Sequence, residues 1–330
     1  MRYVFLPCWL KALMGGSVFY MGINSLCVWA QAPYPSKPIR VIVPFPAGGG
    51  IDTVARQLAP KFSEALGQNF IIDNRAGASG TIGTEMVAKA PADGYTLLAA
   101  FSSHSQNETL YRHLGYDTQK SFAAISLIAT VPNFLVSHPS LPIRTVKDLI
   151  ILAKKHPSQI LYASIGVGTP SHLSTELLKS MAGIDLTHVA YKGATPSITA
   201  LIAGETQLTI TTVLVGMPFV KVGRLRGVGV AALKRSSVMP EVPTIDESGL
   251  KGYESLAWYG IFAPAKTPPE IISRLNQLSS KIIHSSDIRE RLLQQGAEPV
   301  GGAAEALENL VKDDIVKWGR VVSALKITAD

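Results

Sequence analysis

The chain has 330 residues, of which 47% are apolar and 17% are charged, and its formal net charge is +7. This apolar content excludes a disordered chain and suffices for two domains with cores of their own. The basic residues are scattered singly rather than in runs, which argues against a nucleic-acid-binding protein.

The first 32 residues form a segment of their own. A positively charged start precedes a largely apolar stretch, and Ala30-Gln31-Ala32 has small residues at the two positions that signal peptidase reads. These features predict a secretory signal peptide cleaved after Ala32, and hence an exported protein. A retained membrane anchor is the alternative, but no stop-transfer charges follow. Cys8 and Cys27 lie in this leader, so the mature chain has no disulfide and no cysteine nucleophile.

The stretch over residues 40–56 predicts a strand, a glycine loop and a helix in direct succession. Val41-Ile42-Val43 is a β-branched run short enough for a buried strand, and prolines end it. The three glycines Gly48-Gly49-Gly50 follow, where the backbone can adopt positive φ and approach a ligand closely. Asp52 is predicted to be the N-cap of the helix. Such a loop presents free N–H groups at the positive end of a helix dipole, which favours an anionic ligand.

Strands and helices alternate along the rest of the chain, which is typical of layered α/β domains. Residues 95–100 predict a strand that ends in a polar loop over residues 102–104. Two apolar runs, 125–130 and 134–137, are broken by Pro132 and are suited to carry the chain from one domain to another.

The succession of strand, small-residue loop and helix recurs at least four times, near Gly48, Gly77, Gly166 and Gly193. Ligands of open α/β sheets bind outside the carboxyl ends of the strands. Two such sheets that face each other would therefore form a cleft lined from both sides by backbone N–H groups.

No motif indicates an enzyme or a cofactor. The first glycine loop lacks both GxGxxG spacing and a Walker lysine, and Gly77-Ala78-Ser79-Gly80 lacks the spacing of a nucleophile elbow. His156, His172 and His188 could ligate a metal, yet no carboxylate stands at ligand spacing beside His172. We expect His172 to form a local hydrogen bond or to face the cleft. The sequence favours a binding protein without cofactor, metal or catalytic residues, and a periplasmic hydrolase is the alternative from another class.

Several ordered motifs resemble one known family, the periplasmic solute-binding proteins of tripartite tricarboxylate transporters (Bug or TctC). The resemblance extends from about residue 34 to the C-terminus. Its most specific motifs are Val43-Pro44-Phe45-Pro46-Ala47-Gly48-Gly49, Asp93-Gly94-Tyr95-Thr96-Leu97, Gly166-Val167-Gly168-Thr169-Pro170-Ser171-His172-Leu173 and His188-Val189-Ala190-Tyr191-Lys192-Gly193.

The resemblance implies an α/β, type II periplasmic-binding-protein fold, with two domains joined by hinge strands around a central cleft. Domain 1 is expected over residues 33–130 and 262–330, and domain 2 over residues 131–261. The implied function is capture of a small organic carboxylate, a di- or tricarboxylate or an acidic amino acid, by a monomer that serves a membrane transporter. A sensor component that serves a signalling receptor is the alternative within this class.

Carried over by motif, the resemblance also implies which residues bind the ligand. They lie in loops from both domains: Phe45, Ala47, Gly48, Gly49, Ala78, Ser79, Ser164, Gly168 and Thr169, with Ser102 and Tyr191 as weaker candidates. Gln207 and Thr211 stand where the family usually has Asp, which leaves open whether the distal group of the ligand is acidic or neutral.

Few formal charges accompany these loops, since Arg75 and Lys192 are the nearby cations in the sequence. Loop N–H groups and helix N-termini can bind a carboxylate without a cation. We therefore expect Gly49→Val to abolish binding in a folded protein, because the backbone at Gly49 must approach the ligand closely and can adopt positive φ there. Lys192→Ala should weaken binding less than about tenfold.

Overall fold

The computed structural model describes residues 34–328 and shows the predicted alternation of strands and helices. The predicted signal peptide, its cleavage site and both cysteines lie outside the described residues. The first elements are β1 (Ile39–Val43), α1 (Gly50–Leu66), β2 (Phe70–Asn74), α2 (Thr81–Ala88), β3 (Thr96–Phe101), α3 (Ser103–Leu110) and β4 (Phe122–Ser137).

The middle of the chain continues the alternation and the last third is mainly helical. The middle elements are α4 (Val146–Lys155), β5 (Leu161–Ser164), α5 (Pro170–Ala182), β6 (Thr187–Ala190), α6 (Ala194–Ala203), β7 (Leu208–Thr212), α7 (Val213–Lys221) and β8 (Arg226–Ala231). The last elements are β9 (Leu256–Pro264), α8 (Pro269–Ile283), α9 (Ser286–Gln294), β10 (Glu298–Pro299) and α10 (Ala304–Leu325). No helix within residues 34–328 is long and apolar enough to cross a bilayer.

The strands form two half sheets that repeat one arrangement. The first half sheet has the order β2-β1-β3-β9-β4, and β10 pairs with the far side of β4. The second half sheet has the order β6-β5-β7-β4-β8. In the first half sheet β9 runs antiparallel to β3 and β4, and β10 runs antiparallel to β4; in the second, β4 runs antiparallel to β7 and β8. The carboxyl ends of the parallel strands therefore supply loops to one edge of each half sheet.

Strand β4 belongs to both half sheets. Its residues 122–132 pair with β9, and its residues 133–137 pair with β7 and β8. The predicted break at Pro132 is wrong, because the strand continues through it. Pro132 is the last residue of β4 that pairs with β9, so its missing N–H falls where the pairing partner changes. The predicted domain limits fall inside β4 and β9, which are continuous there, and so remain a prediction.

A buried polar helix replaces the predicted loop over residues 102–104. Helix α3 buries Ser103, His104 and Ser105 almost completely. Its Ser105 hydroxyl donates a 2.6 Å hydrogen bond to Asp314 of α10, which shows how a helix without an apolar face can be buried. The C-terminal end of α3 packs with α5 and α10 through the apolar cluster Leu110, Leu173, Trp318 and Val322.

Candidate functional site

Four helices begin at one cavity between the half sheets. Helix α1 begins at Gly50, α5 at Pro170, α6 at Ala194 and α7 at Val213, and each contributes residues of its first turn to the cavity wall. None of the four N-caps forms a side-chain capping bond. Because the first N–H groups of a helix have no intrahelical partner, the cavity is faced by backbone donors. Each N-terminus also carries roughly half a positive charge.

The cavity is small and is lined without formal charge. Its volume is about 50 Å³. Among the described residues, none of the side chains that line it is ionisable at neutral pH. Its wall combines apolar and uncharged polar residues: Phe45, Pro46, Gly49, Gly50, Ile51, Phe101, Asn133, Ile165, Pro170, Ser171, Ala194, Ile210, Thr211, Thr212, Val215 and Tyr259. The arrangement can bind an anion through backbone amides and hydroxyl groups.

The glycine loop before α1 needs its glycines at positions other than the one expected. Gly48 has φ +84°, whereas Gly49 has φ −76°, which any residue adopts. A Cβ on Gly50 would lie 2.1 Å from the Tyr259 hydroxyl oxygen. A Cβ on Gly49 would meet nothing closer than 3.7 Å. The premise of a positive φ at Gly49 is therefore wrong: Gly48 provides the left-handed turn and Gly50 the close approach.

Asp52 is not the helix N-cap, which is Gly49; it is the third residue of α1. Its carboxylate accepts hydrogen bonds from the Gly48 N–H and from the Asn74 side-chain amide, both at 2.9 Å. Arg56 donates a further bond at 3.0 Å. Burial alone would raise the pKa of Asp52, but the bonds from Arg56, Gly48 and Asn74 together lower it. The buried carboxylate thus fixes the glycine loop from behind the cavity.

Predicted ligand-binding residues around this loop have different positions. Phe45 is buried, lines the cavity and packs edge-to-face on Phe101 with ring centres 4.8 Å apart. Ala47 is exposed and its carbonyl accepts a 3.2 Å bond from the Thr195 hydroxyl. Gly49 lines the cavity, and Gly48 lines a neighbouring groove. All four remain predictions as ligand contacts, and the geometry favours Phe45 and Gly49.

The loop that contains Ala78 and Ser79 lies outside the cavity wall. Both residues have left-handed φ, +43° and +51°. The Ser79 hydroxyl donates a 2.7 Å bond to the Val167 carbonyl, which belongs to the loop after β5. The Asn107 side-chain amide donates to the Ser79 carbonyl at 3.1 Å. Ser79 therefore bridges the two halves of the cleft, and a ligand contact of Ala78 or Ser79 stays a prediction.

The loop after β5 supplies cavity residues, but not the three expected. Ile165 of this loop lines the cavity, together with Pro170 and Ser171 at the start of α5. Ser164 is instead bonded to His188 at 2.6 Å, and Thr169 donates its hydroxyl proton to the Gly166 carbonyl at 2.6 Å. The Gly168 N–H donates to His172 Nδ1 at 3.1 Å. These bonds hold the loop in shape, and ligand contacts of Ser164, Gly168 and Thr169 remain predictions.

Two stacked histidines support this loop from below. The rings of His172 and His188 have centres 4.2 Å apart. Burial lowers the pKa of His172 to about 4, and the neighbouring His188 adds to the effect. The ring is therefore neutral at pH 7, so Nδ1 can accept the loop N–H, which agrees with the expected local hydrogen bond. Within residues 34–328 no three His, Cys, Asp or Glu side chains are grouped as a metal site.

The two weaker candidates have unrelated surroundings. Ser102 is fully buried at the start of α3, and its hydroxyl oxygen accepts a 2.9 Å bond from the backbone N–H of Trp258. Tyr191 lies outside the cavity, in the open space beside the Ser79 loop. Burial and the adjacent Glu205 raise the pKa of its hydroxyl. Neither side chain lines the cavity, and both ligand contacts stay predictions.

Polar residues that the sequence did not single out complete the wall. Asn133 lies where β4 passes between the half sheets, and its amide donates a 2.8 Å bond to Ser255. Tyr259 on β9 is buried beside Thr212, and burial raises its pKa to about 12. Thr211, whose departure from the family pattern was noted, also lines the cavity. Asn133 lies between the two apolar runs that were expected to connect the domains, which was the available signal for it.

Comparison with known proteins gives one consistent family. A family model described as the tripartite tricarboxylate transporter family receptor matches residues 54–327. The protein BugT of Bordetella pertussis is 34% identical to this chain over 291 residues, covering 88% of this chain and 89% of BugT.

Solved structures agree with this match and with the fold class expected from the sequence. R. palustris Rpa4515 with adipate aligns with a TM-score of 0.87 and 38% identity, covering 89% of this chain and 99% of that one. MatC from Rhodopseudomonas palustris with bound malate aligns with a TM-score of 0.84 and 32% identity, covering 88% and 100% respectively. The chain therefore belongs to the tripartite tricarboxylate transporter receptor family, the Bug or TctC proteins, which are periplasmic solute-binding proteins with a two-domain periplasmic-binding fold.

Proposed function

We propose that the protein captures a small dicarboxylate in the cavity where the four helices begin. Each helix N-terminus contributes roughly half a positive charge, so the four supply about two positive charges. Among residues 34–328, no charged side chain lines the cavity to offset or add to them. A dianion matches this field, and its oxygens are acceptors for the free N–H groups. This convergence of helix N-termini is the observation that carries the proposal.

The uncharged polar residues suit the far end of such a ligand. Asn133, Thr211, Thr212 and Tyr259 line the cavity with amide and hydroxyl groups, each of which can donate a hydrogen bond to a carboxylate. The solved neighbours named with adipate and malate both hold dicarboxylates, which supports the same class for this chain.

We further propose that the protein acts as the exported receptor of a tripartite transporter and does not transform its ligand. The family supports this role, and the leader supports export with cleavage after Ala32. Strand β4 continues from the first half sheet into the second, with β9 paired beside it up to Pro132, and this arrangement supports a hinge between domains at residues 130/131 and 261/262. Capture would close the domains over the ligand.

A ligand screen on refolded protein tests the proposal. Unfolding and refolding removes any ligand acquired during expression. Thermal melts with butyrate, succinate, malate, adipate, citrate, glutamate and glucose then compare charge and size. A dicarboxylate at 100 times its dissociation constant should raise the free energy of unfolding by about 2.7 kcal/mol. NMR of the ligand after incubation should show it unchanged.

A cavity-filling variant provides the control. A Cβ on Gly49 would lie 3.8 Å from the Cβ of Ala194, which also lines the cavity, and φ −76° accepts a side chain. Gly49→Val should therefore fold normally and lose the dicarboxylate-induced shift. A shift with glucose but with no carboxylate would refute the ligand class. A ligand altered during incubation would refute a pure binding role.

A further inference from the structure

A larger open space lies outside the cavity, and we call it the vestibule. Its volume is about 760 Å³, against about 50 Å³ for the cavity. Phe45, Pro46 and Ile165 line both spaces, so the two adjoin. The vestibule is also lined by residues 76–80 of the loop that contains Ser79, by Gly166 of the loop after β5, and by residues 190–193 at the end of β6.

Within the part of the chain that the structure describes, Lys192 is the vestibule residue that carries a formal charge. Its side chain is exposed and forms neither an ion pair nor a hydrogen bond with the described residues. The other cation near these loops, Arg75, is paired with Asp73 at 3.0 Å. The nearby acidic residue Glu205 interacts with the Tyr191 hydroxyl and raises the pKa of that group. The ammonium group of Lys192 is thus free to attract an anion that enters the vestibule.

Contacts between the facing loops close the passage from the vestibule to the cavity. The Ser79 hydroxyl is bonded to the Val167 carbonyl at 2.7 Å. A Cβ on Gly166 would lie 3.1 Å from the Ser79 oxygen, so the two loops are in direct contact there. On the other side, Gly193 touches the Pro46 ring, because a Cβ on Gly193 would lie 2.8 Å from it. From the vestibule, a ligand can therefore reach the cavity only while these loops are apart.

We propose that the vestibule is an encounter site for the anionic ligand and that Lys192 sets the rate of association. Lys192 acts before the loops close, and it does not line the cavity that holds the bound ligand. The inference rests on the proposed function, because it requires an anionic ligand. It assigns Lys192 to the association step and the helix N-termini to the bound state.

The size of the effect follows from Coulomb attraction in water. A dianion about 8 Å from one ammonium group gains enough energy for a roughly threefold to fivefold change in encounter rate at low salt. The Debye length is about 30 Å at 0.01 M salt and about 3 Å at 1 M, so the effect should vanish at high salt. Lys192→Glu changes the charge by two units, twice as much as Lys192→Ala. Its change in encounter rate should therefore be the square of the change for Lys192→Ala.

Stopped-flow fluorescence measures both rates, using Trp258 and Trp318, the tryptophans that remain after leader removal. Refolded wild type, Lys192→Ala and Lys192→Glu are mixed with malate or adipate at 0.01 M and 1 M salt. The control is Lys154→Ala, which removes the same charge from an exposed position on α4. We expect association at low salt to slow about threefold to fivefold in Lys192→Ala, more in Lys192→Glu, and less than 1.5-fold in the control. Dissociation rates should stay within twofold.

Three other results would overturn the inference, and they show whether the proposed function fails with it. If wild type binds but Lys192→Ala associates normally at low salt, the vestibule has no steering role and the proposed function stands. If Lys192→Ala mainly speeds dissociation, Lys192 contacts the bound ligand and the assignment is wrong. If wild type binds no dicarboxylate, the proposed function fails and the inference fails with it.

Discussion

Gly50 is the position where one added methyl group should do most harm to the site. In Gly50→Ala the new Cβ would lie 2.1 Å from the hydroxyl oxygen and 3.1 Å from the Cζ atom of Tyr259. Tyr259 is buried on β9 and cannot move aside into solvent. Overpacking of this kind costs about 1 to 3 kcal/mol. For a chain of this size that corresponds to a melting temperature lowered by about 2 to 6 °C.

Two further variants make the test specific. Gly49→Ala is the matched control, because its Cβ would meet its nearest neighbour at 3.7 Å, and stability should change by less than about 0.5 kcal/mol. Tyr259→Phe removes the clashing oxygen. The double variant Gly50→Ala/Tyr259→Phe should therefore recover about 1 kcal/mol of the stability that Gly50→Ala loses. Urea unfolding of all four variants provides the free energies. Equal losses in Gly49→Ala and Gly50→Ala, or no recovery in the double variant, would refute the assignment of the close approach to Gly50.

Two pH-dependent predictions concern the groups behind the cavity. The bonds to Asp52 outweigh burial and lower its pKa, so its stabilising effect is complete above the unfolded-state pKa and is lost as pH falls through the folded value. Asp52→Asn should lower the free energy of unfolding at pH 7 by about 2 to 4 kcal/mol and make it less dependent on pH in the acid range. If the free energies of variant and wild type ran parallel from pH 7 to 3, this prediction would be contradicted. Burial lowers the pKa of His172 to about 4, so its protonation destabilises the fold between about pH 6.5 and 4. His172→Phe keeps a ring against His188 but removes the acceptor for the Gly168 N–H. We expect the free energy of unfolding to fall by about 1 kcal/mol at pH 7 and to decline less toward pH 4.5 than in the wild type. An unchanged decline would show that another group causes it.

Local chemistry was sufficient to predict much of the fold. A β-branched run, prolines and three glycines predict strand, loop and helix at residues 40–56, and the structure has β1 and α1 there. Helix α3 was missed because burial on all sides removes the apolar periodicity by which a helix is recognised. Its stability depends on partners far along the chain, such as Asp314, which local sequence does not reveal. Pro132 was misread for a similar reason, since the change of pairing partner at that residue is a tertiary property.

The sequence predicts the kind of loops that surround the candidate site but not which of their residues line it. The recurring glycine loops predict a cleft lined by backbone N–H groups, and helices do begin at one cavity. Which residue of each loop faces the cavity depends on one-residue differences in backbone direction. Ile165 and Ser171 line it, whereas the neighbouring Ser164 bonds to His188. The need for glycine at position 50 arises from Tyr259, about 200 residues away in sequence, and no local pattern contains it.

The separation of backbone donors inside and a lysine outside has a physical reason. A buried ammonium group would lose its hydration, at a cost of several kcal/mol, whether or not a ligand is present. Helix N-termini provide a positive field without that cost, because the folded helices already hold their dipoles in place. An exposed lysine such as Lys192 keeps its hydration and still attracts anions over several ångströms. Substitutions in the loops before α1 and α5 should therefore change affinity through the dissociation rate, whereas charge changes in the vestibule should change the association rate.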